Sequence, residues 1–194
     1  MTRPLENLNS QTAGVLLADA YKRFYLYSET QSGEKPTLLL AFPPAWHNRY
    51  QVLLYKKAVE HGILTFGVKD LNVLEQISWP GQIIIHFHWF QDLFQKCSDE
   101  IEAIEQLWSI KQRVINFRNR TDAKLIWTAH NILPHKNNFP ETFLELRKWV
   151  FNEFDGLHIM NESHQSLLEQ TFETKFRGET FIVPHPLYES GKSP

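Results

Sequence analysis

Continuous apolar runs recur along this chain, and most are followed by a segment patterned at helical spacing. Residues 37–42, 63–68, 83–89, 124–129, 156–160 and 180–183 read as six strands. Several are apolar on both faces, as expected of strands buried inside a parallel sheet. Residues 49–62 carry Val52, Leu53, Ala58 and Val59 near helical spacing, and Gly62 suits a C-cap. The long stretch 98–119 predicts a helix with Ser98 as its N-cap. Acidic residues crowd its first turns, and Arg113, Arg118 and Arg120 its end, the polarity that a helix dipole favours. Pro140 opens a helix to residue 154, on which Phe143, Leu146, Val150 and Phe154 form a core stripe. Ser163 is placed as the cap of a short helix, and residues 69–82 read as a loop.

This alternation predicts an α/β domain over residues 36–194: a Rossmann-like open parallel sheet of about six strands with helices on both faces. Residues 1–35 form an N-terminal extension. Within it residues 13–27 predict one helix, packed on the domain or frayed, and residues 28–36 read as a linker.

Composition narrows the function classes. The 194 residues are 42% hydrophobic, enough for one domain with a sizeable core and short for two. The net charge of -2 is spread along the chain, with no basic stripe for nucleic acid. Cys97 is the only cysteine, which rules out an internal disulfide and fits a reducing compartment. No secretory signal is visible and no run approaches the roughly 18 apolar residues that span a bilayer. The expected location is the cytoplasm, with at most peripheral contact at the inner face of the membrane.

The candidate chemistry lies where the strands end. In an open parallel sheet, ligands bind beyond the carboxyl ends of the strands. Trp46, His47, Asn48 and Arg49 follow the first predicted strand. His86, His88 and Trp89 end the third, His130, Asn131 and His135 follow the fourth, and His185 follows the sixth. Six of the nine histidines thus fall at or beyond strand ends that share one edge. Alternation puts Ile84, His86, His88 and Phe90 on one face, where a histidine is either hydrogen-bonded in the core or part of a site. His86, His88 and His130 form a candidate zinc set, but no Asp or Glu flanks them to orient metal-bound imidazoles. Asp70 follows the second strand at the place of a ribose-binding acid. The loop after the first strand, however, has no glycine-rich fingerprint, so no dinucleotide cofactor is expected.

These segments, in this order, resemble a known family. "PPAWHNRYQVLLYKKAVEHGI", "IIIHFHW", "LIWTAHNILPH", "FDGLHIMNESHQSLL" and "FIVPHPLY" are similar to the landmarks of the amino-terminal domain of bacterial GT-B glycosyltransferases of the family 4-like group, over about residues 36–188. The resemblance implies a hexosyltransferase of polysaccharide or glycolipid biosynthesis. The amino-terminal domain holds the sugar acceptor, a second domain binds the nucleotide-sugar donor, and no metal or other cofactor is needed. It implies that His130 hydrogen-bonds the transferred sugar, and that Trp46, Asn48, Arg49, His88, Trp89, Asn131 and His135 border the acceptor. His47 takes the place of a base in some inverting relatives. Many relatives carry a glycine-rich loop after the first strand where this chain has Pro43 and Pro44. The donor domain is expected on a partner chain, or its absence leaves Trp46, Trp89, Ile132 and Leu133 open for self-association. The other readings from the residues are a non-catalytic sugar- or partner-binding module on the same fold and a histidine-cluster metal hydrolase.

Overall fold

A computed structural model describes residues 6–27, 35–132 and 138–186. It holds one all-parallel sheet. Its strands are β1 (Asn7–Leu8), β2 (Thr37–Phe42), β3 (Ile63–Val68), β4 (Ile83–Phe87), β5 (Lys124–Thr128), β6 (Gly156–Ile159) and β7 (Glu179–Ile182). They lie in the order β1-β3-β2-β4-β5-β6-β7. The fold is therefore α/β and Rossmann-like, with seven strands where the apolar runs predict about six. The additional strand, β1, is only two residues long and pairs with Gly67 and Val68 at the sheet edge, so no apolar run announces it.

Right-handed crossovers decide which helix covers which face. The step from β2 to β3 goes one way across the sheet, and the steps from β4 through β7 go the other. α2 (Arg49–Tyr55) therefore lies on one face. α3 (Glu100–Thr121), α4 (Pro140–Glu153) and α5 (Glu162–Thr171) lie on the other, joined there by α1 (Ala13–Tyr27). The large core sits under these four helices. It takes Leu38, Leu40 and Phe42 from β2, Ile83, Ile85 and Phe87 from β4, and Leu125 and Trp127 from β5. The segment before residue 36 joins the same core through Leu8, Ala13 and Leu17, and Tyr21 meets Trp79 edge-on at 5.3 Å. Under α2 is a smaller apolar cluster of Leu39, Ala41 and Tyr55, with Trp46, Leu54, Ile63 and Ile84 against it.

Several local expectations change. The 49–62 helix is α-helical only to Tyr55 and finishes as a 3-10 turn, Ala58–His61, closed by Gly62 at φ 70°. Its buried residues are Tyr50, Gln51 and Tyr55, while Val52 and Val59 are exposed, because polar-tipped side chains meet a polar stretch of sheet. Asp99, not Ser98, N-caps α3, its carboxylate accepting from Glu102 N at 2.9 Å. Ser98 instead donates its N–H and hydroxyl to the Glu102 carboxylate, both at 2.8 Å, which makes a reciprocal cap. Asn161, not Ser163, caps α5, accepting from His164 N at 3.1 Å. The 69–82 loop contains a 3-10 turn, Leu71–Gln76, capped by Asp70, so that residue has a local structural role. β4 ends at Phe87, which lets Phe90 turn into the large core and leave the face of His86 and His88. No helix among the described residues is long and apolar enough to cross a membrane.

Candidate functional site

The chain reverses its direction of travel across the sheet between β2 and β4, so the crevice of this fold opens at the carboxyl ends of those strands. The loop leaving β2 is tied down at this point. Gln51 accepts from Ala45 N at 2.7 Å and donates to Pro43 O at 3.0 Å. Asn48 accepts from Tyr50 N at 2.9 Å and N-caps α2. Together they fix the start of α2, which aims Tyr50 and Tyr55 at the sheet.

There the two phenols meet side chains that alternation places on the α2 face: His86 and His88 from β4 and its end, Thr128 and His130 from β5 and its end, and His158 from β6. The result is a continuous hydrogen-bonded chain. Tyr55 Oη lies 2.7 Å from His86 Nδ1 and 2.6 Å from His88 Nε2. His86 Nε2 is 2.7 Å from Thr128 Oγ1, which is 3.1 Å from His158 Nδ1. His158 Nε2 is 3.2 Å from Val183 O. At the other end His88 Nδ1 is 3.1 Å from His130 Nε2.

This chain is uncharged. Burial, reinforced by repulsion from His158 and His130, takes His86 down to about 3. Burial likewise drives His88 well below the ordinary imidazole range, and takes His130 to about 4 with help from His158 and His185. His158 is lowered by burial against an opposing hydrogen bond to Val183, and burial raises the Tyr55 phenol well above its ordinary value. With no carboxylate in the chain to hold a proton on them, the rings stay neutral.

His130 is the open end. Its ring stacks on Trp89 at 4.3 Å and 14° and meets Tyr50 edge-on at 4.9 Å. Its Nε2 faces His88, and its Nδ1 makes no hydrogen bond among the described residues. His185 lies against the far side of this wall, 5.1 Å from the Tyr50 ring. Trp46 stands on the β3 side, edge-on to Tyr55 at 6.4 Å. Its indole N–H donates to Asn7 Oδ1 at 3.0 Å, and the ring fills the space that Gly67 leaves.

The structure thus brings His88, Trp89 and His130 into contact and links Trp46 to them through Tyr55. His47 and Arg49 are exposed and lie outside the chain, Asn131 is exposed beside His130, and Asn48 serves as a helix cap. His135 and Leu133 lie outside the described residues. Reading the sequence by strand ends misses Tyr50, Tyr55, Thr128 and His158. Alternation along β4, β5 and β6 carries the signal for the last two, and the Tyr50–Gln51–Tyr55 grouping on α2 carries it for the first two.

The described residues form no group of three or more metal-ligating side chains. In the hydrogen-bonded chain His86, His88 and His158 have both ring nitrogens engaged, and of these four rings His130 Nδ1 alone has no hydrogen bond among the described residues. The arrangement can do one thing well. It presents a neutral hydrogen-bonding nitrogen beside flat aromatic surfaces at an open sheet edge. No protein-family model, curated protein or solved structure matches the chain.

Proposed function

We propose that this chain is a sugar-binding domain of GT-B type, acting as the acceptor-holding half of a glycosyltransferase. A sugar is an uncharged polyol with an apolar C–H face. It is held by aromatic planes and neutral hydrogen-bonding groups, and a metal or a cluster of charges is not required. The observation that carries the reading is His130 Nδ1, uncommitted and held neutral against Trp89 at the carboxyl edge of the sheet. The Rossmann-like strand order supports the same location. On this reading His130 binds and His88 supports it, while Trp89, Trp46 and Asn131 border the sugar. His47, exposed on the loop after β2, is the remaining candidate for a base. The nucleotide-sugar would be supplied by a second domain or a partner chain, since transfer needs closure around the donor.

The second reading is a non-catalytic sugar-binding module. Burial holds His130 at about 4, which suits it to bind and not to act as a general base, so catalysis would have to come from His47 or from a donor domain. The experiment that separates these readings is calorimetric titration of the 194-residue protein with methyl glycosides and short oligosaccharides, followed by turnover assays with nucleotide-sugars. The glycosyltransferase reading expects saturable sugar binding that is lost in His130→Ala and Trp89→Ala, and turnover only when a donor-binding domain is added. Sugar binding without turnover under any pairing selects the module. Binding that both substitutions leave intact moves the site elsewhere.

A further inference from the structure

The hydrogen-bonded chain has one end at which the direction of donation is fixed. The Val183 carbonyl can only accept, so His158 Nε2 carries a hydrogen. In a neutral ring its Nδ1 is then a lone pair, and the Thr128 hydroxyl at 3.1 Å donates to it, with Tyr50 Oη farther away at 3.4 Å. Thr128 has spent its only proton and must accept from His86 Nε2–H at 2.7 Å. His86 Nδ1 therefore accepts from Tyr55 Oη–H at 2.7 Å, and Tyr55, its proton spent, accepts from His88 Nε2–H at 2.6 Å. His88 Nδ1 in turn accepts from His130 Nε2–H at 3.1 Å.

We propose that this one-way chain locks His130 in its Nε2–H tautomer and so presents Nδ1 as an obligatory acceptor, reserved for an O–H or N–H of the bound molecule. Tyr55, His86, Thr128 and His158 are then positioning residues that act on the ligand only through His130. Reversing the chain between Thr128 and His130 would turn the Thr128 proton away from His158 Nδ1 and leave that lone pair to the longer 3.4 Å contact with Tyr50 Oη, so the better of its two hydrogen bonds is lost. That disfavours the reversed form by about 3- to 10-fold. A group that can only accept, such as a carboxylate or a carbonyl, meets a lone pair at this position, whereas a sugar hydroxyl meets a partner. The identity of the ligand as a sugar rests on the function proposed above, while the tautomer follows from the Val183 carbonyl and the shorter contact of Thr128 to a neutral His158.

The test is a long-range proton–nitrogen NMR correlation on the ¹⁵N-histidine-labelled protein at pH 7.5 without ligand, which distinguishes the two tautomers of each ring. The expected result is Nε2–H for His86, His88, His130 and His158. In Thr128→Val the anchor is cut. His158 should keep its tautomer while His130 becomes a mixture, and Thr128→Ser should restore the single form. Tyr55→Phe cuts the chain one step nearer and should release His88 and His130, which gives a second readout if Thr128→Val does not fold. An Nδ1–H His130 in the wild type overturns the proposal, and so does a His130 that stays purely Nε2–H in both cut variants. The expected tautomers without saturable binding of methyl glycosides would sink the sugar reading and leave the relay standing. A reversed His130 in a protein that binds sugars would do the opposite.

Discussion

Three buried imidazoles and a half-buried one, all held neutral, make stability fall on mild acidification, and the size of the fall can be worked out. An unfolded histidine has a pKa near 6.5, whereas in the fold His86 is held at about 3 and His130 at about 4. These are bases whose folded pKa is lowered. The unfolded state therefore binds the extra protons, and the stabilisation is complete above about pH 6.5 and lost as pH falls towards the folded values. At pH 5 each unfolded ring sits about 1.5 units below its pKa, which favours unfolding by about 2 kcal/mol per ring. His86 and His130 together give about 4 kcal/mol, and His88 and His158 add to it in the same direction. Against a typical domain stability of about 5–15 kcal/mol this is a large fraction. The window from pH 7.5 to 5 lies mostly above carboxylate titration, so the histidines dominate it. Urea unfolding at pH 7.5, 6.25 and 5 should show the midpoint falling at constant slope, with a total loss of at least about 3 kcal/mol between the extremes. A loss below about 1 kcal/mol would refute the reasoning, as would ring signals of His86 or His130 in the folded protein that titrate near pH 6.5.

Three further outcomes follow from packing. Gly67→Ala would drive a methyl into the Asn7 side-chain oxygen first, and into Pro44 at 2.7 Å and the Trp46 ring at 2.8 Å. It should cost about 1–3 kcal/mol in urea unfolding and shift the Trp46 indole resonance; an unchanged resonance would contradict the packing of Trp46 on β3. Arg147 is buried in the large core against Trp127 (4.2 Å) and Phe90 (5.3 Å), its Nε and Nη1 without hydrogen-bond partners, and burial takes its pKa down to about 9. Arg147→Met keeps the packing without the charge and should be neutral or stabilising by about 1–2 kcal/mol, whereas a loss above about 2 kcal/mol would show that the cation–π contacts dominate. Asp155 accepts from Leu125 N at 2.9 Å and pairs with Arg118 at 3.0 Å, so Asp155→Ala should cost about 1–3 kcal/mol by the same assay.

Much of the architecture was legible because parallel strands are written as continuous apolar runs. The boundaries marked by strong backbone chemistry, Pro140 at a helix start and Gly62 at φ 70°, stand where the sequence places them. β1 was not legible, since two residues carry no periodicity and are held by pairing with Gly67 and Val68. The buried face of α2 was misread for a physical reason. Hydrophobic spacing favours Val52 and Val59, but the sheet beneath is lined with imidazoles, and only tyrosine can bury a ring while supplying a hydroxyl to them. At the site, the strand-end rule located His88, Trp89, His130 and Trp46. It missed His158 and Thr128, which belong to strands and reach the site through alternation on neighbouring strands. It also gave Asn48 a binding role where the structure shows a helix cap. Which groups donate and which accept could not be read from residue types at all, because it depends on the fixed carbonyl of Val183 at the far end of the chain.

Backbone and side-chain NMR shift mapping during titration with a neutral oligosaccharide tests whether sugars bind at the carboxyl edge of the sheet, around His130. Saturable shifts centred on Trp89, His130 and Asn131 and on the indole of Trp46 are expected. Saturable shifts confined instead to the Ile126, Gly156 and Phe181 trough on the open part of the sheet, or no saturable shifts with any neutral sugar, would contradict binding there.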